Sequence, residues 1–236
     1  MERWAINIDI EGFSATYEKS AQGLYSLQAL MEGIYFIGNK WCPDPPERIF
    51  AHQLGDGFII VGEFGRESIE VPIILAIALM QKVLFSNGIA KAVIAEGDFA
   101  DIQGCFPKCI RDVSTGDNCF RLGRGLMTTF TVMGTALIRA VNLAKIAPTG
   151  GLLIIKKSFR TRVPRDIHPV ALDDPNLVSI DWIHTKMKSL EQVQQIAGLP
   201  RLGISGLEFK LKEYIKNNDL KDDWKNNTLR FLNIVL

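Results

Sequence analysis

Little in this sequence lends itself to a covalently stapled or metal-stapled scaffold. Its 236 residues include four cysteines and three histidines, and Cys42, Cys105, Cys109 and Cys119 follow no regular spacing. That excludes a disulfide framework and implies a reducing setting. A zinc site built on Cys105, Cys109 and Cys119 lacks a fourth paired ligand, has Pro107 between its first two members and no histidine nearby. A long hydrophobic run is missing as well. The most apolar stretch, Val71–Met80, stops at Gln81 and Lys82, well short of the roughly 20 residues a spanning helix needs, and reads as a buried core helix. Charge of one sign is also lacking: the net charge is +1, which gives no bulk attraction to nucleic acid or anionic membrane. Glu2 and Arg3 follow Met1 where a signal peptide would become apolar. A cytoplasmic protein with neither a nucleic-acid nor a membrane partner is expected. What is there, 47% hydrophobic and 22% charged residues, is ordinary globular composition. It is long enough for one large domain or a domain with an appendage.

Trp4–Ile10 alternates large apolar with smaller residues and is rich in β-branched side chains, which predicts a first strand ending at Asp9 and Ile10. Glu11 and Gly12 turn the chain. Ser14 is placed to cap a helix to about Gly33, with Tyr17, Leu24, Leu27, Leu30 and Met31 as its apolar face. After the connection Pro43–Pro46, residues 48–54 and 58–62 flank Gly55-Asp56-Gly57 and predict a β-hairpin. Val71–Asn87 reads as a helix stopped by Gly88, and residues 89–102 as a strand broken at Gly97. Residues 103–124 read as a long loop, 126–132 as a strand, 135–147 as a helix and 152–155 as a strand. This order predicts an α+β fold. Beyond residue 156 charged amphipathic segments such as Leu190–Ile196 and Leu207–Ile215 take over, and the charge balance turns from acidic to basic. The chain is therefore divided into a domain at 1–157 and a helical C-terminal extension at 158–236.

The informative pair is Asp9, at the end of the first strand, and Asp56, in the hairpin turn. If those strands are neighbours, both carboxylates converge beside the amide-rich turn Ile10–Ser14 and the start of the first helix. Hard divalent cations take carboxylate oxygens, while free backbone N–H groups and a helix dipole favour phosphates. Taken alone, Asp9 is equally a helix cap and Asp56 a common turn former.

The flanking residues add to this. Asp9-Ile-Glu-Gly-Phe-Ser14 resembles the D-I-x-G-F-[ST] segment of class III nucleotidyl cyclases, and Leu54-Gly55-Asp56 resembles their second metal motif. Val141-Asn142-Leu143-Ala144 resembles the V-N-x-A helix segment, and residues 150–155 the strand after it. The resemblance spans residues 4–157 in the right order. It implies a ferredoxin-like, antiparallel-rich sheet. It also implies that Asp9, Asp56 and the Ile10 carbonyl hold two Mn²⁺ or Mg²⁺ ions bridging a nucleoside triphosphate, and that Gly12, Phe13 and Ser14 cradle its phosphates. Asn142 would orient the ribose. In the family the metal aspartates come from one chain and the Asn and base pocket from the other, so a homodimer with composite sites is implied.

Of three further positions His52 and Ile146 depart from the purine-cyclase pattern, whereas Thr135 is one of the residues, Asp, Thr or Cys, that the family places there. His52 stands where a base-reading residue, Lys in adenylate cyclases, precedes the second metal Asp by four. Thr135 stands seven before Asn142, and Ile146 replaces the Arg four after it. Arg139 and Lys145, each three residues from Asn142, could supply the missing cation. Phe50 shares a strand face with His52 and could stack on a base, though it would be unremarkable as a core residue. Lys91 reads as a solvated strand lysine. This combination, with the Ser179-Ile-Asp-Trp-Ile-His184 stretch, is most similar to the pyrimidine cyclases of bacterial Pycsar antiphage systems. That similarity implies conversion of UTP or CTP, UTP being expected, to a 3′,5′-cyclic monophosphate with Mn²⁺, sensed by a separate effector. A purine cyclase with atypical base contacts and a non-catalytic nucleotide sensor stay open as alternatives.

Overall fold

The structure is a computed structural model that describes residues 2–14, 17, 21–42, 49–62, 67–112, 119–129, 132–200 and 203–235. The alternation in the first strand is realised as β1 (Glu2–Ile10). Its even members Trp4, Ile6, Ile8 and Ile10 face one core and its odd member Ala5 a second one. The hairpin forms as β2 (Ile49–Leu54) and β3 (Gly57–Gly62), and β4 (Ala90–Asp98) lies on the other side of β1. Further strands are β5 (Ala100–Asp101), β6 (Cys119–Leu122), β7 (Gly125–Thr128), β8 (Val132–Met133), β9 (Leu153–Lys156), β10 (Pro169–Ala171) and β11 (Leu177–Ile180). Seven of them form one sheet in the order β10-β11-β9-β4-β1-β3-β2. Every pairing in it is antiparallel except β4 with β9. That parallel pair is joined by the crossover helix that a parallel connection requires. The fold is α+β, as expected.

Among the described residues the α-helices are α1 (Gln22–Lys40), α2 (Glu70–Phe85), the single turn α3 (Lys108–Arg111), the crossover α4 (Thr135–Ile146), α5 (Lys188–Ile196), α6 (Ile204–Asn217) and α7 (Asp222–Phe231). α1 and α2 cover one face of the sheet. The run Val71–Met80 is almost wholly buried there, each fully buried Ile or Leu contributing about 1.5–3 kcal/mol. α4 covers the opposite face through Ala136, Leu137 and Ala140, which pack on Ala5, Ile59, Val61 and Ala95. Among the described residues no helix is long and apolar enough to cross a membrane.

Several local expectations are corrected. α1 runs on to Lys40, and its buried face is Gly23, Ser26, Leu30, Gly33, Ile34 and Ile37, while Tyr17, Leu24 and Met31 are exposed. Gly33 does not stop the helix. It lets α2 approach, since a Cβ there would meet Leu79 Cδ2 at 2.9 Å. At the end of α2 the left-handed residue is Asn87 (φ 59°), and Gly88 is needed because a Cβ would strike Ser26. Gly97 lies within β4 and leaves room for α4, a Cβ there falling 2.4 Å from the Ala136 amide. The expected loop at 103–124 contains α3 and one strand of the small β6–β7 hairpin, and its residues 113–118, like Pro43–Pro46, lie outside the described residues. After β9 the chain passes through a 3-10 helix (Lys157–Arg162), adds β10 and β11 to the sheet, and then continues as α-helices.

Candidate active site

Register places the acidic pair. In the β1–β3 ladder Asp9 faces Gly57, and in the β1–β4 ladder it faces Lys91. The hairpin turn is made at Gly55 (φ +62°), a backbone state that favours glycine. Gly57 has a different role: a Cβ there would lie 2.6 Å from Asp9 Oδ1 and 2.5 Å from the Ile8 carbonyl. Only a residue without a side chain lets the Asp9 carboxyl fold over the turn onto Asp56, with which it shares a hydrogen bond. Partial burial, then the Asp56 charge and that hydrogen bond, then Glu11, push the Asp9 carboxyl up to about 7, with Lys91 opposing them. Two carboxylates held this close with so little compensation form an oxygen-donor set suited to a divalent cation.

Glu11 and Lys91 complete the cluster. Glu11 donates its backbone N–H to the Ile89 carbonyl (3.0 Å), and its Oε2 accepts from the Trp224 indole Nε1 (2.7 Å). Burial raises its pKa, against the Trp224 hydrogen bond, Lys91 and the Gly150 backbone. Lys91 is half-buried rather than solvated. It donates Nζ to the Ala147 carbonyl (3.0 Å), and its pKa is lowered by burial while Glu11 and Asp9 pull it up. Gly12 (φ +71°) is exposed, with nothing within 4 Å of where a Cβ would sit. Phe13 stacks on Tyr17 at 5.6 Å, Ser14 is exposed, and the Ile10 side chain points into the core. Gly12 and Ser14 are therefore exposed beside the carboxylates, with Phe13 half-buried between them.

The other expected residues stand elsewhere on the chain. Thr135 donates to the Asp98 carboxylate and accepts from the Asp98 N–H (3.0 Å). Asp98 lies seven residues beyond Lys91 on β4, about 24 Å along the strand from the level of Asp9. Arg139 donates Nη1 to the Glu96 carbonyl (2.9 Å), about 17 Å along the same strand. Phe50 packs against Phe99 with ring centroids 5.6 Å apart, which puts it toward the Thr135 end. His52 pairs with Ile59, is half-buried, and has its pKa lowered by that burial. Asn142 and Lys145 are exposed on α4, opposite its buried residues. Their neighbours on that outer stripe are Ile138, 51% exposed, and Ile146, 65% exposed. The single chain thus brings Asp9, Asp56, Glu11 and Lys91 together at one end of the sheet and gathers Phe50, Phe99 and Thr135 toward the other. Sequence reasoning missed Glu11, Trp224 and the engagement of Lys91. The second glycine of Gly55-Asp56-Gly57 is a signal that could have shown the close approach, whereas nothing marked Trp224.

No protein-family model matches the sequence, and no curated protein matches it. Solved structures that resemble the fold include a double mutant of the guanylyl cyclase domain of the RhoGC fusion protein from the aquatic fungus Blastocladiella emersonii. It is 10% identical, with a TM-score of 0.47 over 76% of this chain and 93% of that one. Two structures of a bacterial light-regulated adenylyl cyclase give TM-scores of 0.45 and 0.44 at 10% and 11% identity, over 84% and 83% of this chain. The chain spans 56% of the length of each of those two.

Proposed function

We propose that this chain is a nucleotidyl cyclase that converts a nucleoside triphosphate to its 3′,5′-cyclic monophosphate and pyrophosphate. The observation that carries the reading is the contact of Asp9 with Asp56, made possible by Gly57, beside the turn Gly12–Ser14. Asp9, Asp56 and the Ile10 carbonyl would hold two divalent ions, Mn²⁺ or Mg²⁺. When bound, these would acidify the ribose 3′-OH and neutralise charge on the phosphates during in-line displacement. The chain's own residues bind and orient: the backbone of Gly12, Phe13 and Ser14 takes the phosphates, and Asn142 positions the ribose. Lys145 or Arg139 supplies the cation that Ile146 cannot.

The separation of the carboxylate end from the Thr135 end fits sites shared between two chains, each giving its aspartates to one site and its α4 and base-contacting residues to the other. The exposed stripe Ile138, Asn142, Lys145 and Ile146 is then the surface that a second copy covers, since apolar residues grouped in this way favour an interface. Phe50, His52 and Thr135 form the base pocket, and its partly buried imidazole favours the smaller pyrimidine, UTP before CTP. The cyclic product would act through a separate cyclic-nucleotide-sensing effector in antiphage defence. Residues 1–157 are proposed as the catalytic domain and 158–236 as its extension. A non-catalytic nucleotide sensor is the second reading, favoured by Ile146 at the cation position. Asp9→Asn and Asp56→Asn separate the two: each abolishes product while the protein still melts cooperatively. Unchanged turnover in either variant refutes the two-ion assignment.

A further inference from the structure

The C-terminal helices reach the neighbourhood of the proposed cation site at Glu11, where Tyr214 and Trp224 both approach it. Trp224, buried at the start of α7, donates its indole N–H to Glu11 Oε2 at 2.7 Å, and the Gly150 backbone adds a second hydrogen bond to that carboxylate. The same helix holds the loop after α4. Thr228 Oγ1 accepts from the Gly151 N–H (3.0 Å), and Asn227 Nδ2 donates to the Thr149 carbonyl (2.9 Å). Trp182 Nε1 fastens Gly151 from the other side (2.8 Å). Glu11 is two residues from Asp9 and close enough to influence the charge of both Asp9 and Asp56. A cavity of about 320 Å³ opens beside Glu11, Gly12, Tyr214 and Trp224, so the glutamate is not wedged in place by packing on that side and its position rests on its hydrogen bonds.

We propose that Trp224 is a positioning residue for the cation site: its indole N–H holds the Glu11 carboxylate out of the coordination sphere, so that the carboxylates offered to cations are those of Asp9 and Asp56. This rests on the reading of Asp9 and Asp56 as cation ligands. A free third carboxylate would bind a divalent ion more tightly and slow its exchange, because affinity rises with ligand charge. The extension thereby sets the affinity of a site to which it contributes no ligand.

The test is calorimetric titration of Mn²⁺ into wild type, Trp224→Phe, Glu11→Gln and the double variant. Trp224→Phe is expected to tighten Mn²⁺ at least about threefold when Glu11 is present and to change it less than about 1.5-fold in the Glu11→Gln background. An unchanged affinity in Trp224→Phe, or the same change in both backgrounds, overturns the proposal. A second measurement needs no variant at position 224 to fold. On titrating the unmodified protein with Mg²⁺, the Trp224 indole proton should stay downfield and protected from exchange in nuclear magnetic resonance spectra. Loss of that protection would show Glu11 turning to the cation and would also overturn the proposal. Failure of the underlying reading is seen separately, as Mn²⁺ binding that Asp56→Asn leaves intact.

Discussion

Asp9→Asn should make the cation-free protein more stable at alkaline pH, even as it removes the site. In the fold the Asp9 carboxyl is pushed up to about 7 from an ordinary 3.8 by partial burial and by Asp56. A folded-state pKa raised in this way leaves stability intact below the unfolded value and removes it as pH rises through the folded one. The ionised carboxylate is therefore a liability that grows from about pH 4 and is complete above about pH 7. Each tenfold weakening of the acid corresponds to about 1.4 kcal/mol, but Asp9 is open to solvent on one side, and screening reduces the net cost to about 1–2 kcal/mol. For a chain of this size that is a rise in Tm of about 2–8 °C. The assay is thermal unfolding with chelator present, wild type against Asp9→Asn, at pH 8 and pH 4.5. The gain should be clear at pH 8 and about a quarter of that or less at pH 4.5. An equal gain at both pH values, or a loss at pH 8, would refute the reasoning.

Gly57→Ala forces a Cβ into the Ile8 carbonyl and Asp9 Oδ1, so it should cost about 1–3 kcal/mol in chemical denaturation and abolish Mn²⁺ binding; a neutral substitution would mean the turn gives way freely. His184 is held by Asp181 (2.8 Å) and Glu208 (2.8 Å); burial works against its charge, but these hydrogen bonds and charges raise its pKa overall. Its contribution is thus complete below about pH 6.5 and fades as pH rises through the raised value, so His184→Ala should destabilise by about 1–2 kcal/mol at pH 5.5 and by less at pH 9. Asn142→Ala should lower kcat more than it changes KM and leave Tm unmoved. Mixing the impaired Asn142→Ala with inactive Asp56→Asn should raise activity above that of either variant in the mixed dimer, and no gain would contradict shared sites.

What could be read from the sequence was set by periodicity and local chemistry. The strand at 4–10, the hairpin at Gly55-Asp56-Gly57 and the buried run at 71–80 all formed where their patterns put them, because each depends on neighbours a few residues away. The glycines were harder. Gly33, Gly88 and Gly97 look like helix stops or a strand break, yet each makes room for a segment distant in sequence, and sequence spacing carries no record of that. The face of α1 was right at Leu30 and Leu27 and failed at Leu24 and Met31 for the same reason, since α2 packs on the helix's small residues instead. At the site, the meeting of Asp9 and Asp56 followed from one assumption, that β1 and β3 are neighbours. Trp224 could not be found, because 213 residues separate it from Glu11. Strands β10 and β11 were missed because they are three and four residues long and lack the unbroken apolar run that marked the equally short β9.

The central claim is that Asp9 and Asp56 serve cyclisation of a nucleoside triphosphate. Incubating the purified protein with Mn²⁺ and an equimolar mixture of ATP, GTP, CTP and UTP, and identifying products by mass spectrometry, tests it most directly. The account predicts a 3′,5′-cyclic monophosphate, with cyclic UMP the most abundant, absent when Asp56→Asn replaces the wild type. Nucleotide bound but returned unchanged, or a cyclic product that persists in Asp56→Asn, would contradict it.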